Sequence, residues 1–270
     1  MEVRMRNRFL FVTLFLLLAS SVASAQALSS AKEYFDRAYK RADAGDQAGA
    51  IADYTKVIEL APRDYAAYSN RGLAKKRLGD TAGAMADYNS SLNIKPDYSY
   101  ALRGRALLRK AQGDNTGAMA DLDKALTVNP KDGFAYFDRG SVKNTLKDYP
   151  GAISDFTNAI LYDPEEKESY YNRAIALKAS GKIKEAIADY DKYISLNTSN
   201  TRYLADGYQN RGIAKTILKD YAGAVADLSV AIKLFPEDAV LYTNRADAYR
   251  KMGKTALATA DEAKAASLKK

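Results

Sequence analysis

Small and apolar side chains recur at intervals of three and four residues along most of the chain. Within residues 65–98 these positions are Ala67, Tyr68, Gly72, Leu73, Ala82, Ala84, Met85, Tyr88 and Leu92. This spacing is typical of the apolar face of an amphipathic helix, and it predicts two helices in this stretch. Neither helix can bury its apolar face alone. We therefore expect the two to pack together as a helix–turn–helix unit.

Glycine and aspartate mark the turn between the two predicted helices. A glycine fits the positive φ that often follows a helix end. The aspartate after it can accept hydrogen bonds from the first amides of the next helix. The glycines are Gly45, Gly79, Gly113, Gly181 and Gly253, and the aspartates are Asp46, Asp80, Asp114, Asp148 and Asp220.

The predicted helix pair recurs with a period of 34 residues. Each copy has an arginine in its first helix and, 16 residues later, an aspartate in its second helix. The arginines are Arg37, Arg71, Arg105, Arg139, Arg173, Arg211 and Arg245, and the aspartates are Asp53, Asp87, Asp121, Asp155, Asp189, Asp227 and Asp261. We interpret them as structural ion pairs, within a unit or to the next one, that fix helix packing. The alternative is a ladder of charges for a ligand.

This pattern resembles the tetratricopeptide repeat, which has aromatic, small and proline residues at fixed positions, as in Tyr68, Gly72, Ala84, Tyr88 and Pro96. The resemblance covers residues 31–270 and implies an all-α, right-handed superhelical solenoid of about seven repeats. The first helices of such a solenoid line a concave, peptide-binding face. The predicted domain is 26–270, with repeats at 31–64, 65–98, 99–132, 133–166, 167–204, 205–238 and 239–270.

Two features depart from the family pattern. The spacing from Arg173 to Arg211 is 38 residues, so four extra residues lie within 197–205 and predict a lengthened helix or loop with a local change of curvature. The last helix carries Asp261, Glu262 and Lys264, which we expect to make it polar enough to cap the repeats.

The composition excludes several classes of site. The chain of 270 residues contains 47% hydrophobic residues but no His and no Cys, which removes most metal sites, cysteine nucleophiles and Ser-His-Asp triads. No glycine-rich loop is followed by Lys-Ser/Thr. We predict a protein that is not an enzyme and has no cofactor or metal. Its net charge of +8 arises from interspersed charges, and we expect no nucleic-acid partner.

The first 25 residues have the layout of a secretory signal peptide. Three arginines precede an apolar run at 9–19, and the small residues Ala-Ser-Ala follow at 23–25, so cleavage is predicted before Gln26. The run is too short for a stable membrane span. We therefore expect an exported protein of the periplasm or the extracellular space, and an uncleaved anchor is the alternative. On a eukaryotic route, Asn89 and Asn197 head glycan-acceptor motifs.

The family's groove positions carry four aromatic and five basic residues in units two to five. The aromatics are Tyr100, Phe134, Phe137 and Tyr171, and the cations are Lys76, Arg77, Arg103, Lys110 and Lys178. Rigid aromatics anchor a ligand and cations favour carboxylates, so the groove would suit a peptide with acidic and apolar residues. The alternative is that the aromatics pack on neighbouring helices.

One subgroup of the family clamps the C-terminal carboxylate of chaperones with Lys, Asn and Arg side chains. Asn70 matches one clamp position, but Phe35, Tyr39, Tyr100 and Gly104 stand at others, which argues against such a clamp. We expect the asparagines at the matching position of later units to pack or to bond to the backbone. These asparagines are Asn172, Asn210 and Asn244.

The sequence thus predicts an exported, non-catalytic scaffold for protein–protein interaction that binds a partner peptide or helix in its concave groove. The alternative is an assembly factor or self-associating protein of an envelope complex that binds through its convex face or edges.

Overall fold

The computed structural model describes residues 29–197 and 201–269, and within these ranges every regular element is an α-helix. The first helix, α1, spans 29–43. The others are α2 Gln47–Leu60, α3 Tyr65–Arg77, α4 Thr81–Ile94, α5 Ser99–Ala111, α6 Asn115–Val128, α7 Gly133–Thr145, α8 Tyr149–Tyr162, α9 Lys167–Ala179, α10 Ile183–Leu196, α11 Thr201–Ile217, α12 Tyr221–Leu234, α13 Ala239–Lys251 and α14 Thr255–Ser267. The predicted signal peptide and its cleavage site lie outside the described residues.

The described residues divide into two compact units, one that ends at residue 129 and one that begins at residue 130. In the first unit α3 packs on α4 and α5 on α6, and α3 also contacts α5. In the second unit α7 packs on α8, α9 on α10, α11 on α12 and α13 on α14, with contacts from α7 to α9 and from α11 to α13. Each unit is therefore a stack of helix pairs in which the first helix of one pair touches the first helix of the next.

An alanine and a large side chain from each second helix fill the space against the first helix. Ala84 and Tyr88 are 0% and 2% exposed, and burial raises the pKa of Tyr88 to about 12. The Tyr88 ring reaches the next pair, where a Cβ added to Gly104 would lie 2.4 Å from Tyr88 Cζ. Glycine at 104 therefore allows α5 to pack closely against α4.

The turns inside the helix pairs have the predicted backbone. The five predicted glycines have φ between 74° and 88°, and Lys147 and Lys219 adopt φ of 61° and 64° at the same place in two other pairs. The aspartates that follow also act as predicted. Asp80, for example, accepts a hydrogen bond of 2.8 Å from the amide of Gly83.

The extra residues of the fifth pair lengthen a helix. Helix α11 has 17 residues, whereas α9 has 13. Just before it, Asn197 is 1% exposed and its Nδ2 donates to the carbonyl of Tyr193 at 2.8 Å. The prediction that Asn197 could carry a glycan is therefore wrong for the folded chain, because its amide is buried and bonded. Asn89 is exposed on α4.

The predicted polar cap on α14 is only partly correct. Glu262 and Lys264 are exposed, but Asp261 is 6% exposed and pairs with Arg245. Asp261 is the partner of the arginine in its own pair, so it faces inward. Within the part of the chain that the structure describes, no helix combines the length and the apolar character needed to cross a membrane.

Candidate functional site

In each helix pair, the arginine of the first helix binds the aspartate of the second with two parallel hydrogen bonds. In the second pair, Arg71 Nε donates to Asp87 Oδ2 at 2.9 Å and Nη2 donates to Oδ1 at 2.7 Å. The same arrangement joins Arg37 to Asp53, Arg105 to Asp121, Arg139 to Asp155, Arg173 to Asp189, Arg211 to Asp227 and Arg245 to Asp261. The hydrogen bonds to Asp87 raise the pKa of Arg71.

The arginines also reach the preceding helix pair. Arg71 Nη1 donates to Thr55 Oγ1 at 3.1 Å, and Arg105 Nη1 donates to Asn89 Oδ1 at 2.8 Å. Equivalent bonds join Arg173 to Thr157, Arg211 to Asp191 and Arg245 to Ser229. The acceptor lies 16 residues before the arginine in four of these five bonds, and 20 residues before it for Arg211, where the chain has four extra residues. One guanidinium thus connects helices within a pair and between pairs. The repeat aspartates bind the arginine of their own pair, which is the first of the two predicted arrangements, and the contacts between pairs use other side chains.

A second cation, which the sequence analysis missed, contacts most of these aspartates. Lys75 Nζ lies 2.8 Å from Asp87 Oδ2, one helical turn after Arg71. Arg41, Arg109, Lys143 and Lys215 occupy the same place, at 2.7 to 2.9 Å from their aspartates. A basic residue four positions after the arginine was the signal in the sequence. The carboxylates of these five aspartates therefore each bind two cations of the first helix.

The exposed residues of the first helices form a surface on each unit, which we call the first-helix face. In the first unit, Tyr100 on α5 is 69% exposed, and its ring centroid lies 5.6 Å from that of Tyr98. Arg103 and Lys110 lie partly exposed on the same helix, and Lys76 lies partly exposed near the end of α3. The first-helix face of this unit therefore combines an exposed ring with several cations.

A small cleft of about 170 Å³ lies between α1 and α3 on the same unit. Its lining includes Tyr39, Asn70, Leu73 and Arg77. Tyr39 is 62% exposed, and Arg77 Nη1 donates to the carbonyl of Ala42 at 3.4 Å. The sequence analysis did not select Tyr39 or Leu73 for the groove, although both occupy the ninth position of their predicted repeats.

In the second unit, the three predicted aromatics differ from one another. Phe134 on α7 is 53% exposed. Phe137 is half-buried and its ring centroid lies 5.8 Å from that of Phe156. Tyr171 on α9 is also half-buried, and its ring centroid lies 4.8 Å from that of Tyr193. Phe134 therefore resembles Tyr100 in exposure, whereas Phe137 and Tyr171 contact core rings.

Polar groups surround Tyr171 at the contact between α9 and α11. Lys178 Nζ donates to Asn210 Oδ1 at 3.2 Å. Asn210 Nδ2 donates to the hydroxyl of Tyr171 and to the carbonyl of Asp206, both at 3.0 Å. Asn172 donates to the carbonyl of Glu168 at 2.8 Å, so Asn172 and Asn210 both bond to the backbone, as expected. Within the described residues, no cluster of three or more carboxylates could hold a metal ion.

The stacked helix pairs and their repeated arginine–aspartate pairs define a helical-repeat protein. The model of a tetratricopeptide repeat family matches the sequence at residues 35–99 and 137–200. The chain therefore matches the tetratricopeptide repeat family over these two stretches and has an all-α repeat fold like that of the family.

Solved structures share this fold. A tetratricopeptide repeat protein from Parabacteroides merdae is 24% identical, with a TM-score of 0.62, over 89% of this chain and 93% of that one. YrrB, described as having an unusual peptide-binding site, is 21% identical, with a TM-score of 0.59, over 70% and 94%. PilW, described as a type IV pilus biogenesis factor, is 18% identical, with a TM-score of 0.69, over 76% and 94%. No curated protein sequence matches the chain.

Proposed function

We propose that this chain is an exported, non-catalytic scaffold that binds a segment of a partner protein on the first-helix face. The observation that carries the proposal is the exposure of Tyr100 and Phe134, at 69% and 53%, on first helices. A large ring in water gains apolar contact when a partner covers it, and such rings are frequent anchors of interfaces. The similarity to YrrB, described as having a peptide-binding site, agrees with this proposal.

The cations on the first-helix face of this unit indicate what the partner segment contains. Arg103 and Lys110 lie on the same helix as Tyr100, and Lys76 and Arg77 lie on α3. Cations on the same face as an exposed ring favour a segment that combines acidic and apolar residues. We therefore propose an acidic, partly apolar peptide as the ligand of the first unit.

The proposal that the chain has no catalytic activity rests on its side-chain chemistry. The sequence contains no His or Cys, and its recurring carboxylates bind arginines within their own helix pairs. A general base must be available to a substrate proton, and these aspartates are not. Export rests on the leader-like residues 1–25.

An alternative surface exists on the second helices. Leu161 on α8 is 66% exposed, and Leu257 on α14 is 47% exposed. An assembly factor or self-associating protein that binds away from the first helices would use such residues. Leu161 therefore serves as the matched control for Phe134 in the experiment below.

The test uses the chain from residue 26 onward and peptides selected against it from random libraries about 12 residues long. The affinity of each selected peptide is then measured for Tyr100→Ala, Phe134→Ala and Leu161→Ala. We expect one of the first two variants to weaken binding roughly tenfold or more, with Leu161→Ala unchanged. Loss of binding in Leu161→Ala alone would favour the alternative surface.

A further inference from the structure

The fifth helix pair departs from the ion-pair pattern of its neighbours. At the place of the second cation, four residues after Arg173, it has Leu177, which is 3% exposed and packs in the core. Among the described residues, Asp189 is held by Arg173 alone. The lysine of this pair stands one position later, at 178, where the direction of the helix carries it away from Asp189.

Lys178 is a half-buried cation whose hydrogen-bond partner is neutral. Its Nζ donates to Asn210 Oδ1 at 3.2 Å, and no carboxylate among the described residues pairs with it. Burial lowers the pKa of Lys178 below its usual value. Removing an ammonium from water without an anion costs free energy, and an incoming anion would offset that cost.

The hydroxyl of Tyr171 is a second donor at the same place. It accepts from Asn210 Nδ2 at 3.0 Å and donates to no acceptor among the described residues. Lys178 and Tyr171 therefore bind the two ends of the amide group of Asn210. The ammonium keeps two hydrogens, and the hydroxyl keeps its one hydrogen, that the amide does not use.

The nearby carboxylate of Asp206 does not occupy these donors. Its Oδ1 lies 3.3 Å from Arg202 Nε, so this carboxylate is paired with a guanidinium. The ammonium of Lys178 and the hydroxyl of Tyr171 therefore have hydrogen-bond donors that the carboxylate of Asp206 does not occupy.

We propose that Lys178 and the Tyr171 hydroxyl, positioned by Asn210, form a subsite for one carboxylate of the partner segment. A carboxylate has two oxygens, which can accept from the ammonium and the hydroxyl together. This inference rests on the proposed function, because the carboxylate belongs to a segment bound on the first-helix face of the second unit. The carboxylate is that of an Asp or Glu side chain or of the C-terminus of the segment.

The experiment selects peptides against the chain from two random libraries, one fused to its carrier through the peptide C-terminus and one with this terminus free. Each selected peptide is then synthesised with its acidic residue and with the matching amide, and with a free or an amidated C-terminus. Affinities are measured for the native chain, Lys178→Gln, Lys178→Arg and the control Lys184→Gln. Lys184 is exposed on α10, so its substitution makes the same change of charge away from the subsite.

We expect one carboxylate whose conversion to an amide weakens binding to the native chain roughly tenfold. The same conversion should leave binding to Lys178→Gln unchanged, and Lys184→Gln and Lys178→Arg should behave like the native chain. If the side-chain amide weakens binding, the carboxylate comes from an Asp or Glu side chain; if the amidated terminus weakens binding, it comes from the C-terminus. Either result supports the subsite. Thermal unfolding of Lys178→Gln at or above the native temperature shows that the variant folds.

Three results would overturn the inference. The subsite is wrong, although peptide binding stands, if the selected peptides bind equally well with an amide in place of every carboxylate. The same conclusion follows if conversion of the carboxylate to an amide weakens binding to Lys178→Gln as much as binding to the native chain. If neither library yields a binding peptide, the proposed function is wrong, and the subsite with it.

Discussion

The arginine in each first helix binds the aspartate in the second helix of its own pair. Arg71 binds Asp87 of its own pair and Thr55 of the pair before it, and its guanidinium lies 5.6 Å from the centroid of the Tyr68 ring. Since Asp87 is 3% exposed, its carboxylate depends on these partners in place of water. The ion pair therefore holds the first helix against the second, and it recurs in every helix pair.

Replacing Arg71 by alanine should destabilise the chain. The carboxylate of Asp87 would keep only Lys75 as a cationic partner, so we expect a loss of about 1–3 kcal/mol in the free energy of unfolding. Arg63→Ala, at an exposed loop position, is the control and should change stability by less than about 0.5 kcal/mol. Urea unfolding measures both, and equal stability of the two variants would contradict the role given to Arg71.

Acid should weaken the fold through Asp53. Hydrogen bonds from Arg37 hold the pKa of Asp53 below its usual value, so the unfolded chain takes up a proton at higher pH than the folded chain does. The stabilisation is complete above the unfolded pKa of about 4 and is lost as the pH falls through the folded value. Asp53→Asn should show a smaller loss of stability between pH 7 and 3 than the native chain.

The control for this pH dependence is Asp43→Asn, because Asp43 is exposed near the end of α1. We expect this control to keep the native dependence on pH. Urea unfolding midpoints at several pH values provide the measurement. If Asp53→Asn loses as much stability between pH 7 and 3 as the native chain does, protonation of Asp53 is not a cause of the acid sensitivity.

The turns that join the two helices of a pair are built on a left-handed residue. Gly79 has a φ of 83° and provides that conformation without a Cβ, whereas Lys147 adopts a φ of 61° with a full side chain. A side chain in this region costs about 1–2 kcal/mol. The turns of the fourth and sixth pairs therefore carry strain that the glycine-containing turns avoid.

Exchanging these residue types should change stability in opposite directions. Gly79→Ala should lower the free energy of unfolding by about 1 kcal/mol, and Lys147→Gly should raise it by about 0.5–1 kcal/mol. Lys147→Ala removes the same charge but keeps a Cβ, so it should give no comparable gain. Thermal unfolding measures all three variants, and a gain from Lys147→Ala equal to that from Lys147→Gly would point to charge as the cause.

The sequence predicted the helix pairs, but it did not predict the turn at Lys147 or the length of α11. Periodicity and turn residues identified the helix pairs, because each helix repeats the same local signals. The sequence did not predict the positive φ of Lys147, because glycine is the residue type that most readily adopts a positive φ. The 38-residue spacing predicted an insertion, but the choice between a helix and a loop depended on packing, which placed the extra residues in α11.

The candidate site was less predictable, because equivalent repeat positions have different neighbours. Phe134 and Phe137 both lie on α7, but Phe134 is 53% exposed, whereas Phe137 contacts the core ring of Phe156. The sequence placed Lys178 at a groove position, but it did not predict that the partner of this lysine is the neutral Asn210, because Asn210 lies 32 residues away in the next helix pair.

The proposed export of the whole chain gives a prediction about its N-terminus. We propose that residues 1–25 are removed, because three basic residues, an apolar run and Ala-Ser-Ala have the layout of a cleavable leader. Intact mass spectrometry of the protein from the exported fraction of a bacterial culture should give a chain that begins at Gln26. A full-length mass in the membrane fraction would indicate an uncleaved anchor.

The central claim is that a partner segment binds on the first helices. Amide hydrogen exchange of the chain from residue 26 onward, with and without a selected peptide, tests this claim most directly. The account predicts slower exchange at first helices such as α5, α7 or α9 and no change at α6, α8 or α10. Slower exchange at the second helices, with the first helices unchanged, would contradict it.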